Sequence, residues 1–359
     1  MPTVHLHVGA MKSGTTYVQE VLGRNRDVMR SRGVLFPGTR WHDQVLGVEE
    51  LVRRRPRGKP ASPGAWQRLV DEVMAFDGAS AIISMETLAM ADEAAARRAV
   101  ESFAPHQVKV ILTARDLLRV VPAQWQESTQ NGGTHTYERF LKTASATRSR
   151  NLPVARILWS AQDFGHILRT WRSALGSNDD LALVTVPPPG SDPTLLWGRF
   201  CAAVGIDPEG VDASLPATES LGSTSAELMR RINEAGKERG LPYETRRALK
   251  MRLAKRALPR RRGEEPALVL PDKYLPWAAR SSEWQIHEIE ALAPRIFGDL
   301  EDLRVPGSRA RGDRVRGRPA AVDNPAPSSE ELLDAAIDGL IGLAEQLPRR
   351  RRGAAHRQI

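Results

Sequence analysis

Apolar and polar positions alternate with a period of two at the start of the chain. Val4, Leu6 and Val8 sit between polar neighbours, which predicts a strand. A turn bounded by Gly9 and Gly14 follows, and the period then lengthens to that of a helix from Thr15 to about Arg32. Gly33 to Phe36 reads as a short strand closed by Pro37-Gly38, and Ser62-Pro63 as the N-cap and first turn of a helix to about Phe76. Ala81 to Ser84 is an apolar run of the buried-strand type. Asp92 caps a helix through Phe103, Val108 to Thr113 is the next strand, and Asp116 opens another helix. Leu181 to Val186 is a further strand, stopped by Pro187-Pro188-Pro189. Strands alternating with helices predict an α/β fold, a central parallel sheet with crossover helices.

Beyond about residue 220 the strand signals stop. Helices are expected at Ser225–Arg239, Glu244–Arg256 and Ser281–Phe297. The domain reading is one α/β domain over 1–303 with a helical cap or lid at about 220–300. A disordered basic linker (304–327), an amphipathic helix (328–347) and a disordered Arg-rich tail (348–359) follow. Ser328 and Glu331 have the spacing of a capping box for that last helix. Its apolar positions, Leu333, Ile337, Leu340, Ile341, Ala344 and Leu347, are expected to dock on its own domain or on a symmetric mate, which allows a homodimer.

Composition narrows the class. The 359 residues are ample for a large core, and 41% hydrophobic with 26% charged is ordinary for a globular chain. The single cysteine, Cys201, rules out an internal disulfide and a multi-cysteine metal site, and its apolar helical surroundings mark it as a packing residue. No run reaches the ~20 apolar residues of a membrane span, and no basic-then-apolar leader opens the sequence. A cytoplasmic enzyme is the expectation.

The formal charge is +9 and the sequence pI about 10.1, which by itself suggests nucleic acid. The charge is clustered, however. Residues 304–319 carry six Arg against one Asp, 348–359 carry five Arg, and 246–262 carry nine Lys/Arg without an acid. The remainder is mildly acidic, and a small anionic ligand is a better expectation than nucleic acid.

Candidate chemistry concentrates after the first strand, in Gly9-Ala10-Met11-Lys12-Ser13-Gly14-Thr15-Thr16. Glycines at a helix start let backbone N–H groups approach an anion, Lys12 adds a charge, and Ser13, Thr15 and Thr16 add hydroxyls. The nucleotide P-loop requires a Lys directly after the second glycine; here Lys12 precedes it, which argues against an ordinary ATPase or GTPase. His42 follows the second strand and Glu86 the third, so both are expected at the carboxyl edge of the sheet, where either could serve as general base. His5 and His7 alternate with the apolar residues of the first strand and read as structural.

Lys12-Ser13-Gly14-Thr15-Thr16 after a first strand resembles the phosphosulfate loop of the sulfotransferases that use 3′-phosphoadenosine 5′-phosphosulfate (PAPS). Val108–Thr113 followed by Arg115-Asp116 is similar to their 3′-phosphate element. Further similarity lies in Trp159–Trp171 with Phe164-Gly165, and in Phe200–Ile206. The resemblance spans about residues 3–300 and implies a three-layer, P-loop-like α/β fold with a helical C-terminal part. It implies in-line sulfuryl transfer from PAPS, with PAP as product and no metal, to a hydroxyl or amine of a small-molecule or glycan acceptor. Lys12 would neutralise the bridging oxygen, the Gly14–Thr16 amides would hold the 5′-phosphate, and Arg115 would hold the 3′-phosphate. The family pattern has a serine where this chain has Ala123, so Gln124 and Ser128 are the nearby replacements. The late loop Arg260-Arg261-Arg262-Gly263 is similar to the family's basic loop and puts Arg261 in the same set. Two other classes compete: a kinase or other nucleotide-dependent phosphotransferase on a related loop, and a non-enzymatic anion- or nucleic-acid-binding protein.

Overall fold

The computed structural model describes residues 2–52, 62–146, 152–215, 221–305 and 326–347. β1 (Thr3–His7) enters the glycine loop and then α1 (Thr15–Arg24), α2 (Arg26–Ser31) and β2 (Val34–Leu35). α3 (Trp41–Leu51) and α4 (Ala65–Met74) precede β3 (Ser80–Ser84), and α5 (Glu93–Glu101) precedes β4 (Val108–Ala114). Four helices lead to β5 (Leu181–Thr185): α6 (Leu117–Gln130), α7 (Tyr137–Ala146), α8 (Pro153–Gln162) and α9 (Phe164–Leu175). The remaining elements are α10 (Leu195–Val204), α11 (Ser223–Glu238), α12 (Tyr243–Leu249), α13 (Leu275–Leu292), β6 (Arg295–Phe297) and α14 (Ser329–Ala344).

All six strands pair in parallel in the order β2-β3-β1-β4-β5-β6. From β1 the chain turns to the β3/β2 side, and from β4 it turns to the β5/β6 side. The switch point therefore lies between β1 and β4, where the loops after both strands leave a crevice at their carboxyl ends. β1 is buried on both faces, as a central parallel strand must be. Val4 and Leu6 join a core that includes Val73, Ala96, Ile167, Trp171 and Ile289. On the other face Ile82, Ile111 and Val184 pack with Val18 and Leu22 of α1 and Trp197, Phe200 and Cys201 of α10. Helix layers on both faces make the three-layer α/β fold. Cys201 is fully buried, and desolvation pushes its thiol up to about 12.

The described chain divides into two compact units. The first comprises 1–125, 137–218 and 269–324; the second comprises 126–136, 219–268 and 325–359. In the second, Arg230 binds Glu227 and Glu234, and Ser225 donates to Glu265 Oε1 at 2.6 Å. A π-helical stretch (Lys250–Ala257) and a 3-10 turn (Leu258–Gly263) follow α12 and support α14. Of the linker expected at 304–327, residues 306–325 lie outside the described residues, as does the tail at 348–359.

Local chemistry explains where the elements depart from the sequence pattern. The helix expected at 15–32 breaks at Asn25, whose Nδ2 donates to Val21 O (2.8 Å) and Asp212 O (2.9 Å), competing with the helical ladder. Ser62 does not cap α4; the Glu50 carboxylate does, accepting from Gly64 N and Trp66 N at 2.8 Å each. The helix expected to end at Phe297 stops at Leu292, and Arg295–Phe297 instead adds β6 to the edge beside β5, a strand the periodicity missed. The capping box at Ser328 and Glu331 forms. However, α14 buries Leu332, Ala335, Gly339 and Gly342, whereas Leu333, Ile337, Leu340 and Ile341 are exposed. The glycines decide this. A Cβ at Gly342 would stand 2.5 Å from Ala257 Cβ, and one at Gly339 would stand 2.8 Å from Leu253 Cδ1, so the close-packing stripe is the small-residue one.

Candidate functional site

The loop between β1 and α1 is built so that its carbonyls are satisfied from below. Val8 N and Ala10 N donate to Ile111 O and Thr113 O of β4 at 2.9 Å, extending the ladder past the strand end. The fully buried Gln162, at the end of α8, donates to Met11 O at 2.5 Å, and Arg115 Nη1 donates to Lys12 O at 3.2 Å. Gln285 of α13 in turn donates to the Gln162 carbonyl. Lys12 (φ 64°) and Gly14 (φ 82°) are both left-handed and flank Ser13. Left-handed residues on either side of Ser13 are a backbone feature of anion-binding nests, while Ser13 N itself donates to Ala10 O at 3.3 Å. A side chain at Gly9 would meet Thr15 Cγ2 at 2.2 Å and one at Gly14 would meet Leu196 Cδ2 at 2.5 Å, so both glycines are sterically required. α1 begins directly behind, with Gly14 as N-cap and no side chain capping its first N–H groups. Those groups, and the positive end of the helix dipole, remain for a ligand.

The residue facing this loop from β4 is Arg115. Asp116 does not neutralise it: Asp116 caps α6 through Arg119 N (3.0 Å) and pairs with the Arg119 guanidinium. Arg119 also holds the carbonyls of Pro187 (2.8 Å) and Val186 (3.3 Å) beyond β5. Among the described residues Arg115 has no carboxylate within ion-pair distance, and its Nε is buried without a partner. Burial pulls its pKa down to about 10; the Arg119 charge adds to the effect and Asp116 offsets part of it. Arg115 is therefore a charged, partly desolvated donor that no carboxylate binds directly among the described residues. Near it in sequence, Gln124 of α6 is buried with an unpartnered Oε1.

The other sequence-derived residues separate by position. Thr15 is buried and Thr16 exposed at the first turn of α1. The Ser13 hydroxyl, expected to face a phosphate, bonds inward to Ala10 O and Thr113 Oγ1. Glu86 lies two residues past Ser84 and is half-buried; Gln19 of α1 donates to its Oε2 at 3.3 Å and to Ser84 O at 3.1 Å. His42 is exposed on the first turn of α3, a helix tied to the carboxyl end of β3 by Ser84 N donating to Gln44 Oε1 at 2.8 Å. Ser128 and Arg261 belong to the second unit. There the Ser128 carbonyl accepts from Gly133 N at 2.8 Å, while Arg261 is paired with Glu265 (2.9 Å) and Asp338. Gln19, Gln44, Thr113 and Gln162 join the site without a local sequence signal. Each is a buried polar residue, a signal that a one-dimensional pattern does not separate from solvent-facing glutamine or threonine. Among the described residues no group of three or more His, Cys, Asp or Glu converges as a metal site would, and no helix is long and apolar enough to cross a membrane.

No family model and no curated protein matches the chain. Among solved structures, it is similar to the crystal structure of a sulfotransferase from Alicyclobacillus acidocaldarius. The identity is 14% and the TM-score 0.42, over 69% of this chain and 99% of that one.

Proposed function

We propose that the protein is a sulfotransferase that uses PAPS to sulfate a hydroxyl or amine of a small-molecule or glycan acceptor. The observation that carries this reading is Arg115: a half-buried guanidinium whose buried Nε has no partner, with no carboxylate in ion-pair range among the described residues and a bond to the carbonyl of Lys12 in the glycine loop. Desolvated charges are ordinarily paired, and a ligand anion would supply the partner. When bound, PAPS would supply the sulfuryl group and a nucleotide leaving group. The N–H groups of Gly14, Thr15 and Thr16 would hold its 5′-phosphate at the helix start. Arg115 and Gln124 would hold the 3′-phosphate. Arg261, in the second unit, already has Glu265 and Asp338 as partners. Lys12 would stabilise charge that develops as the donor bond breaks. Glu86, braced by Gln19, and His42 are alternative bases for the acceptor proton.

Calorimetry with PAP and with Mg·ATP tests the donor class. Saturable binding of PAP and weaker or no binding of Mg·ATP is expected; the reverse preference would install a phosphotransferase in its place. Arg115→Met should weaken PAP binding by about 10- to 100-fold, the cost of a charge-assisted hydrogen bond. Its melting temperature should be unchanged or raised, because a partly desolvated charge with no bonded carboxylate has been removed. A PAP affinity unaffected by both Arg115→Met and Lys12→Ala would sink the proposal. In transfer assays with labelled PAPS, loss of the true base should lower kcat by about 10²–10⁴ without changing PAP affinity, which assigns it between Glu86→Gln and His42→Ala.

A further inference from the structure

Beneath the glycine loop lies a line of polar groups enclosed by the core. His7 of β1 stands in register with Ser84 of β3 on one side, and on the other it neighbours β4, where Thr113 shares the face of Ile111. His7 Nδ1 is 2.7 Å from Ser84 Oγ and its Nε2 is 3.2 Å from Thr113 Oγ1. Thr113 Oγ1 is 2.6 Å from Ser13 Oγ, and Ser13 Oγ donates to Ala10 O. His7, Ser13, Ser84 and Thr113 are each fully buried.

Proton counting gives this line a direction. A hydroxyl has one hydrogen to donate. Ser13 gives its hydrogen to Ala10 O, so it accepts from Thr113. Thr113 has then spent its own hydrogen and must accept from His7 Nε2–H. His7 Nδ1 therefore carries no proton and accepts from Ser84. The result is a one-way chain of four bonds, from β3 through β1 and β4 into the loop.

We infer that His7 is a positioning residue: as its neutral Nε2–H tautomer, it orders the chain of hydrogen bonds that fixes Ser13 and the Ala10 carbonyl, and thereby turns the loop N–H groups toward the anion. Desolvation holds its pKa near 3, so the imidazole stays neutral across the physiological range. The Phe200 ring, with its centroid 5.0 Å away, closes the site on the side of α10. Ser13 thus acts on the ligand through the shape of the loop and not through its hydroxyl. The inference rests on the proposed anion site, but its test reads the free protein.

The test compares wild type with His7→Phe, which keeps an aromatic ring and removes both nitrogens, and His7→Gln, which restores a donor toward Thr113. In wild type, nitrogen-15 spectra of labelled histidine should show His7 as the neutral Nε2–H form; an Nδ1–H or cationic imidazole at neutral pH overturns the proposal. Amide exchange of Ala10 and Ser13, whose N–H groups donate to Thr113 O and Ala10 O, should quicken at least about tenfold in His7→Phe and recover to within about threefold in His7→Gln, with the amides of β5 unchanged. Exchange unchanged in the loop, or quickened equally in β5, overturns it. Should His7→Phe fail to fold, the tautomer and the exchange of His7→Gln decide alone. If wild type binds no PAP, the sulfotransferase reading falls, while the exchange pattern still decides the role of His7.

Discussion

Two histidines on one strand face, one bonded and one not, give the residue scale a direct test. His7 has a partner for each ring nitrogen, whereas both nitrogens of His5 are buried with no hydrogen-bond partner among the described residues. Burial is the main cause holding His5 down at about 4, with the Lys109 charge adding to it, and it holds His7 at about 3. Their ordinary value is about 6.5, so between roughly pH 6.5 and pH 4 the unfolded chain binds protons that the folded chain refuses. The sign follows. The stability these neutral rings allow is present above pH 6.5 and is lost as pH falls, by up to about 1.4 kcal/mol per pH unit for each group. Urea unfolding at pH 7.5 and 5.5 should show the loss. In His5→Leu the pH slope should shrink by about one proton while stability at pH 7.5 holds or rises, because an unsatisfied buried polar group has gone. An unchanged slope would mean that His5 is solvated or protonated in the folded protein.

At the scale of elements, the turn from β1 into α1 joins fold and site in a few residues. Gly14 is the N-cap of α1, left-handed, and abuts Leu196 of α10. Gly14→Ala must therefore strain the backbone and push Leu196 aside, at a cost of about 1–2 kcal/mol. Thermal unfolding should register that modest loss, and calorimetry should show PAP affinity falling further than stability, since the displaced N–H groups are those proposed to bind. This element was legible in the sequence because glycine, lysine and hydroxyl residues at a strand-to-helix junction have few other uses. The strands of the sheet interior were legible for a related reason: apolar runs such as Ala81–Ser84 and Val108–Thr113 announce burial on both faces. Elements set by partners distant in sequence were not. The α4 cap comes from Glu50, the break after α1 from the Asn25–Asp212 pair, and β6 from pairing with β5, and none leaves a local periodic trace. The loop's supports were hidden in the same way, because Gln162 and Thr113 acquire their role only when α8 and β4 reach the loop.

At the scale of the whole molecule, a net charge of +9 raises the question of whether basic segments are displayed for a polyanion. Residues 246–262 are the densest basic stretch, and in the second unit part of that charge is neutralised internally. Arg261 pairs with Asp338 and Glu265, and Arg260 with Glu345, so of the three acids one lies on α14 and one at its C-cap. The docking that sets these pairs comes from the small-residue stripe of α14 against Leu253 and Ala257, so the helix should stay in place when its acids are neutralised. Exposed ion pairs contribute about 0–1 kcal/mol each, so Asp338→Asn with Glu345→Gln should leave the melting temperature almost unchanged. Removing two acids beside nine basic residues should instead raise affinity for heparin or duplex DNA. The rise should steepen with falling salt, since each phosphate contact regained releases counterions. PAP affinity should not move, because neither acid belongs to the loop or to Arg115. Later elution of the double variant from heparin, with unchanged PAP calorimetry, would show that α14 screens the basic segment and that polyanion binding is not the activity of the glycine-loop site. Co-elution with wild type would place the screening elsewhere.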